Sequence, residues 1–196
     1  MCISNHIAGT PRIYICNNDE TIKVYSLPDL QRITTINLPT AVNYASISPD
    51  GTKLIAVGDS PQVFLYEIGR NGSYQRTATL AGSADAAFSC AWNQSSNKFA
   101  VASQDGYVCV WDVRSSEKLV KLGSKQNPQV KGACRSVKFS PSGSIDLLMY
   151  SEVCRFYYPC LLISTFPISM WWTRALLMSG KLYAWHHPIL ICILQG

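Results

Sequence analysis

Asp105-Gly106-Tyr107-Val108-Cys109-Val110-Trp111-Asp112 reads as a tight turn, an alternating strand and a closing aromatic–acidic pair. Gly106 permits the turn, and the β-branched and aromatic residues after it suit a pleated strand. Two weaker copies lie upstream. Asp19-Glu20-Thr21-Ile22-Lys23-Val24-Tyr25-Ser26 keeps the acid six residues before the aromatic, and Ser60-Pro61-Gln62-Val63-Phe64-Leu65-Tyr66-Glu67 keeps the spacing with a serine in the acid's place. Tyr25, Tyr66 and Trp111 recur at intervals of 41 and 45 residues. A period of about 40–45 residues marks four-stranded blades stacked around an axis. One such sheet cannot bury both faces by itself, so the period dictates architecture before any single residue is weighed.

Working outward, the first unit reads as incomplete. Arg12 to Cys16 and Thr21 to Ser26 are strands joined by Asn17-Asn18-Asp19-Glu20, Gln31 to Leu38 supplies an outer strand, and nothing before His6 is long enough for an innermost one. The second unit is complete. Ala41 to Ser48 is closed by Ser48-Pro49-Asp50-Gly51, a type I or II turn with proline at its second position, and Lys53 to Gly58, Gln62 to Ile68 and Tyr74 to Leu80 follow. The third unit runs through Ala87 to Asn93, Lys98 to Ser103, Tyr107 to Val113 and Lys118 to Leu122. A fourth opens with Cys134 to Phe139, turns at Ser140-Pro141-Ser142-Gly143, continues through Ile145 to Tyr150 and stops.

These residues resemble the WD-repeat family, which forms β-propellers, over residues 11 to 152. In the third unit Ser103, Asp105 and Trp111 match three members of that family's Asp-His-Ser-Trp hydrogen-bond tetrad, and Ser83 stands in the histidine position. The resemblance implies that Asp105 accepts bonds in the turn while the Trp111 indole covers the blade and donates its N–H. Asp146, Leu147, Leu148 and Glu152 match a pattern Asp-Leu-Leu-x-x-x-Glu-His, similar to a short domain of unknown function in fungal WD-repeat proteins; the final histidine is Val153 here. Trp111-Asp112-Val113-Arg114 resembles the box by which some WD-repeat proteins act as substrate receptors of cullin-4 ubiquitin ligases. That resemblance implies a partner contact through Trp111, Asp112 and Arg114, against the plainer role of two structural residues and a solvated rim charge.

The fold expected is therefore all-β: an incomplete WD-repeat propeller of about three and a half four-stranded blades over residues 7–152, with an atypical apolar tail over 153–196. Composition breaks at the same place. All 12 acidic residues lie at or before Glu152, whereas the remainder holds Arg155, Arg174 and Lys181 and no acid. Phe156 to Thr173 is an 18-residue run without charge, close to the ~20 residues of a membrane-spanning helix, but Pro159 and Pro167 interrupt it. Three readings stay open for this tail: a translated intron or frameshift replacing the rest of a longer propeller, a membrane anchor, or an irregular apolar segment packed on the blades. His186-His187 lacks a third ligand at a sensible spacing, so no metal is expected.

Hydrophobic residues make up 47% of the 196 and charged residues 15%, with a net charge of +5. The eight cysteines form no CxxC pair and follow no signal-peptide pattern, so they read as reduced thiols of an intracellular protein, in cytoplasm or nucleus, with a membrane location as the alternative. Lys118, Lys121, Lys125, Lys131, Arg135 and Lys138 form a basic stretch that reads as a solvated surface on outer strands and loops, so nucleic acid is not the expected partner. No phosphate loop, nucleophile elbow or paired acid and base can be assembled. The expectation is a non-catalytic scaffold without cofactor, binding protein partners through its loops. A membrane would be reached only through the tail, and the open propeller edge invites self-association.

Overall fold

The computed structural model describes residues 2–4, 11–115, 117–123, 132–141, 146–153 and 189–194. Every described element is a β-strand, and every neighbouring pair is antiparallel. The first sheet is β1 (Cys2–Ser4), β2 (Arg12–Cys16), β3 (Thr21–Ser26) and β4 (Arg32–Asn37), in that order. The second is β5 (Val42–Ile47), β6 (Lys53–Gly58), β7 (Ser60–Ile68) and β8 (Tyr74–Ala81). The third is β9 (Ala87–Trp92), β10 (Lys98–Ser103), β11 (Tyr107–Asp112) and β12 (Lys118–Gly123). The fourth is β13 (Ala133–Phe139), β14 (Asp146–Val153) and β15 (Ile189–Leu194).

Two of these strands differ from the sequence reading. β1 pairs Cys2 with Tyr14 and Ser4 with Arg12, completing the first sheet with three residues. β15 pairs Leu194 with Asp146 and Ile189 with Ser151, so part of the apolar tail is the third strand of the fourth sheet. A strand needs only a free edge to add to, and β2 and β14 each offer one. The charge-free run 156–173 and His186-His187 lie outside the described residues.

Tight turns set the registers. Gly51, Gly72, Ser96 and Gly106 each donate their N–H to the carbonyl three residues back, and each has a positive φ between 59° and 79°. Glycine enters that left-handed region without a Cβ penalty; Ser96 is held there while its hydroxyl accepts the Asp50 N–H at 3.0 Å from the neighbouring sheet. Burial pushes the Asp50 carboxyl up, but hydrogen bonds from the Ser48 hydroxyl and from the Thr52 N–H and hydroxyl outweigh it and hold the group below its ordinary 3.8. Because the folded carboxyl is the stronger acid, its stabilising contribution is complete above that ordinary value and fades as pH falls below it. Asp50→Asn should therefore lower the urea midpoint at about pH 7 by a margin that narrows as pH falls below 3.8; a pH-independent offset would contradict the assignment.

Sheets stack because each strand alternates between two covered faces. Between the first and second sheets lie Tyr14, Ile22, Val24, Ile36, Leu54, Ala56, Phe64 and Tyr66. Between the second and third lie Ile55, Val57, Val63, Leu65, Cys90, Trp92, Phe99, Val101, Cys109 and Trp111. Between the third and fourth lie Ala100, Ala102, Val108, Val110, Cys134, Val137, Leu148 and Tyr150. β6 and β7 supply apolar residues to both sides, which explains their near-continuous burial. The first strands of successive sheets lie against one another, and the Lys138 ammonium of β13 comes within 5.8 Å of the Tyr44 ring of β5, two sheets away. The sheets thus fan from a common axis, as blades of an incomplete propeller do.

Gly58 marks the tightest approach between strands. A Cβ there would lie 1.8 Å from the Ala41 carbonyl oxygen, which accepts the Asp59 N–H at 3.1 Å. Gly58→Ala must push β6 from the chain entering β5, and a thermal melt should show a loss near the upper end of the ~1–3 kcal/mol typical of overpacking.

Candidate interaction site on the third sheet and its rims

Asp105 occupies the turn between β10 and β11, where its backbone neighbours and one side chain converge on it. The Ser83 hydroxyl and the Ala84 N–H both donate to Oδ2, the latter at 3.1 Å, and the Tyr107 N–H donates to Oδ1 at 3.3 Å. Ser83 belongs to the segment entering β9, so this carboxylate ties the start of the sheet to its central hairpin. Ser103 is buried at the end of β10, opposite Ala87 beside a register shift.

Trp111 departs from its expected role. Its ring is fully buried and stacks on Phe99 with centroids 5.2 Å apart and planes 14° from parallel, but its Nε1–H has no hydrogen-bond partner among the described residues. The Ser83 hydroxyl donates to Asp105, so the carboxylate half of the network forms without the indole. Trp92, which the motif reading passed over, holds the neighbouring place. It lies beside Phe99 at 5.3 Å, and its indole N–H donates to the Ser46 carbonyl of the second sheet at 3.1 Å. Trp92, Phe99 and Trp111 are direct cross-strand partners, so one rung of three strands is wholly aromatic. Phe99 carries no motif, and only the register exposes it.

At the exit of β11, Arg114 folds back on Asp112. Nε donates to Oδ1 at 2.9 Å and Nη2 to Oδ2 at 2.7 Å, while the Arg114 backbone N–H also donates to Oδ1 at 2.9 Å. These bonds hold Asp112 well below the usual carboxylate range and raise Arg114. The Arg114 side chain remains 80% exposed, so the pair is presented at the rim with its fork already engaged. Trp111, one residue before, faces the buried interface and is not part of that surface.

The four residues of the fourth-sheet pattern are brought together only in part. Asp146 accepts from Asn93 Nδ2 at 3.0 Å and Lys98 Nζ at 3.3 Å, latching the fourth sheet to the turn of the third. Leu148 is fully buried between the two sheets, whereas Leu147 is half-buried on the opposite face. Glu152 is buried to 1% exposure; Oε1 accepts the Gly132 N–H at 2.8 Å and Oε2 has no partner among the described residues.

The basic stretch divides differently from expectation. Lys118 and Lys121 are on the outermost strand β12, with Lys121 3.8 Å from the Tyr107 ring centroid. Arg135 and Lys138 are instead on the innermost strand β13, and Arg135 packs 3.8 Å over the Phe88 ring of β9. A run of charge in sequence crosses from the outside of one blade to the axis of the next. Lys125 and Lys131 lie outside the described residues. Cys16, Cys90, Cys109 and Cys134 stand as thiols, and burial pushes the Cys109 thiol up.

Fanned antiparallel sheets, latched one to the next by side-chain bonds, define a repeat protein of the β-propeller class. Within it, residues 74–112 match the family profile described as WD domain, G-beta repeat. The matched segment begins on β8 and ends with β11, so the sequence repeat lends its first strand to one sheet and the next three to the following sheet. An uncharacterized protein of Schizosaccharomyces pombe is 42% identical over 141 residues, covering 70% of this chain and 41% of the relative. Transducin beta-like protein 2 of Homo sapiens is 30% identical over 164 residues, covering 77% of this chain and 36% of its own length. Ribosome biogenesis protein YTM1 of Scheffersomyces stipitis is 31% identical over 140 residues, covering 69% of this chain and 30% of its own. The chain spans well under half the length of each of these relatives.

Proposed function

We propose that the chain is a non-catalytic protein-interaction scaffold of the WD-repeat type. The observation that carries this reading is where its carboxylates are spent. Asp19, Asp50, Asp59, Asp105, Asp112, Asp146 and Glu152 each accept bonds that close a turn, pair a rim side chain or latch two sheets. A rigid array so braced offers its rims and loops for recognition. Of these relatives only YTM1 is named for a process, ribosome biogenesis, and the match covers 30% of its length; that supports a scaffold over any one pathway. The Asp146-to-Glu152 pattern, together with the fission-yeast relative, supports kinship with fungal WD-repeat proteins carrying that short domain. Quantitative affinity capture with the full chain, against a charge-matched unrelated protein, tests the scaffold. The reading fails if no protein is specifically retained.

The Asp112–Arg114 pair, with Arg114 exposed at the rim, favours a second reading, the cullin-4 ligase receptor. Arg114→Glu should abolish pull-down of the ligase adaptor; unchanged pull-down eliminates it. Self-association is a further proposal, supported by Ile15, Ile33, Met149 and Val153, which are 36–43% exposed on the outer faces of the first and fourth sheets. A single monomeric boundary for the full chain in analytical ultracentrifugation would contradict it. The membrane alternative rests on residues 156–173; among the described residues no helix is long and apolar enough to cross a membrane. Release of the protein by carbonate extraction argues against anchoring.

A further inference from the structure

Where the first two blades meet at their outer rim, a groove of about 540 Å³ runs along residues 34–39, with Tyr66, Tyr74 and Arg76 on its opposite wall. Residues 34–37 belong to β4, and because successive side chains of a strand point to opposite faces, four consecutive ones can line one groove only through the strand's edge. Among the described residues that edge is open: β4 is the terminal strand of its sheet, paired with β3 on one side alone. Alternate residues of such an edge present backbone N–H and C=O groups to whatever lies beside them.

The opposite wall is rich in donors and holds no acid. Arg76 is exposed on β8, Tyr66 is its cross-strand partner on β7, and neither Arg76 nor the nearby Arg12 enters any ion pair among the described residues. Arg12 is 6% exposed; its Nη1 donates to the Tyr74 hydroxyl at 3.2 Å, and its Nε is unpartnered. Tyr74 in turn shares a 2.7 Å bond with the Tyr14 hydroxyl. Burial raises the Tyr66 phenol, and Arg76 is the charge that opposes this. Arg76 therefore lines the groove with no carboxylate in ion-pair range among the described residues, while Arg12, outside that lining, meets the Tyr74 hydroxyl.

We infer that this groove receives an acidic peptide segment in extended form, which adds as a fifth strand to β4 and sets a carboxylate against Arg76 and the Tyr66 hydroxyl. The inference rests on the scaffold reading and names the kind of partner it takes. Strand addition supplies affinity through the main chain, and alternate side chains supply specificity. Six residues of strand extend about 20 Å, so a hexapeptide fills the edge. A carboxylate is favoured over an RNA backbone because the wall supplies one accessible cation rather than a basic track.

The test uses the immobilised full chain and three fluorescein-labelled hexapeptides that alternate valine with glutamate, glutamine or lysine. Biolayer interferometry should show binding of the glutamate peptide, weaker binding of the glutamine peptide and none of the lysine peptide. Arg76→Glu should weaken the glutamate peptide by about tenfold or more, and Tyr66→Phe by roughly threefold. Arg76 is exposed and unpaired, so its replacement should leave the melting curve unchanged. Equal binding of all three peptides, or indifference to Arg76→Glu, overturns the proposal. So does preferential binding of single-stranded RNA, or an effect of Arg76→Glu on self-association alone, which would make a second copy the occupant. If affinity capture retains the same proteins with and without Arg76→Glu, the groove is refuted while the scaffold stands.

Discussion

Trp111→Ala should cost about 3–5 kcal/mol of unfolding free energy, the range for removing a large aromatic from a packed core. The ring is fully buried, stacked on Phe99, and wedged between the second and third sheets with Ile55, Val57 and Val63. No neighbour can collapse into its place, because Phe99 is itself clamped by Trp92 on the other side. Trp111→Phe should behave quite differently. It keeps the stacking partner and deletes an N–H that has no acceptor, and a buried unsatisfied donor costs ~1–3 kcal/mol. That gain offsets part of the lost ring volume, so the loss should be less than half that of alanine. Urea unfolding followed by far-UV circular dichroism, with the slope held constant, distinguishes the two. Equal damage from both would mean that the indole N–H is bonded after all and that Ser103 or Ser83 completes the network.

Leu148→Ala should destabilise by about 2–5 kcal/mol, whereas Leu147→Ala should stay within ~1 kcal/mol. The two leucines are adjacent on β14 but lie on opposite faces of the sheet. Leu148 fills the interface with Ala100, Val108 and Val110 of the third sheet, while Leu147 is half-buried and contributes its backbone N–H to Ser140 Oγ at 3.2 Å. Amide hydrogen exchange adds a spatial readout. Leu148→Ala should release β13 and β14 first and leave β5–β8 protected, because the fourth sheet meets the rest of the molecule through that interface and the Asp146 latch. Comparable losses at both positions would mean that β14 is not seated on the third sheet in this register.

The strands of the second and third sheets were legible because two signals coincide there: alternation along the strand, and turn residues such as Ser48-Pro49-Asp50-Gly51 at its end. Neither signal exists for β1. Three residues are too few to alternate, and their placement depends on β2 having an unpaired edge. β15 fails for another reason. Ile189 to Leu194 is a continuous apolar run, which reads equally well as buried strand or buried helix until a partner is known. At the candidate site, Asp105 and Ser83 were reached through the resemblance to the WD-repeat tetrad, and the fold joins them by a hydroxyl bond to Asp105 Oδ2. The Trp111 N–H, without a partner among the described residues, was not legible, because it depends on which acceptors the packed sheets bring to the indole. Arg135 and Lys138 were misplaced on the outer strands for a related reason: a charge run shows sign along the chain, while the step from β12 to β13 carries it from rim to axis. The groove along β4 leaves no sequence mark at all, since an edge is created by the strand that is not beside it.

The stagger of residues 74–112 across two sheets has a mechanical consequence. A segment that gives β8 to one blade and β9 to β11 to the next cannot melt by itself, since pulling it out strips the outer strand from its neighbour. Strain applied at either blade is shared through a covalent strap as well as through packing. The second and third sheets should consequently unzip together in a single step under force or denaturant, and a partner that grips the rim of one will stiffen the other.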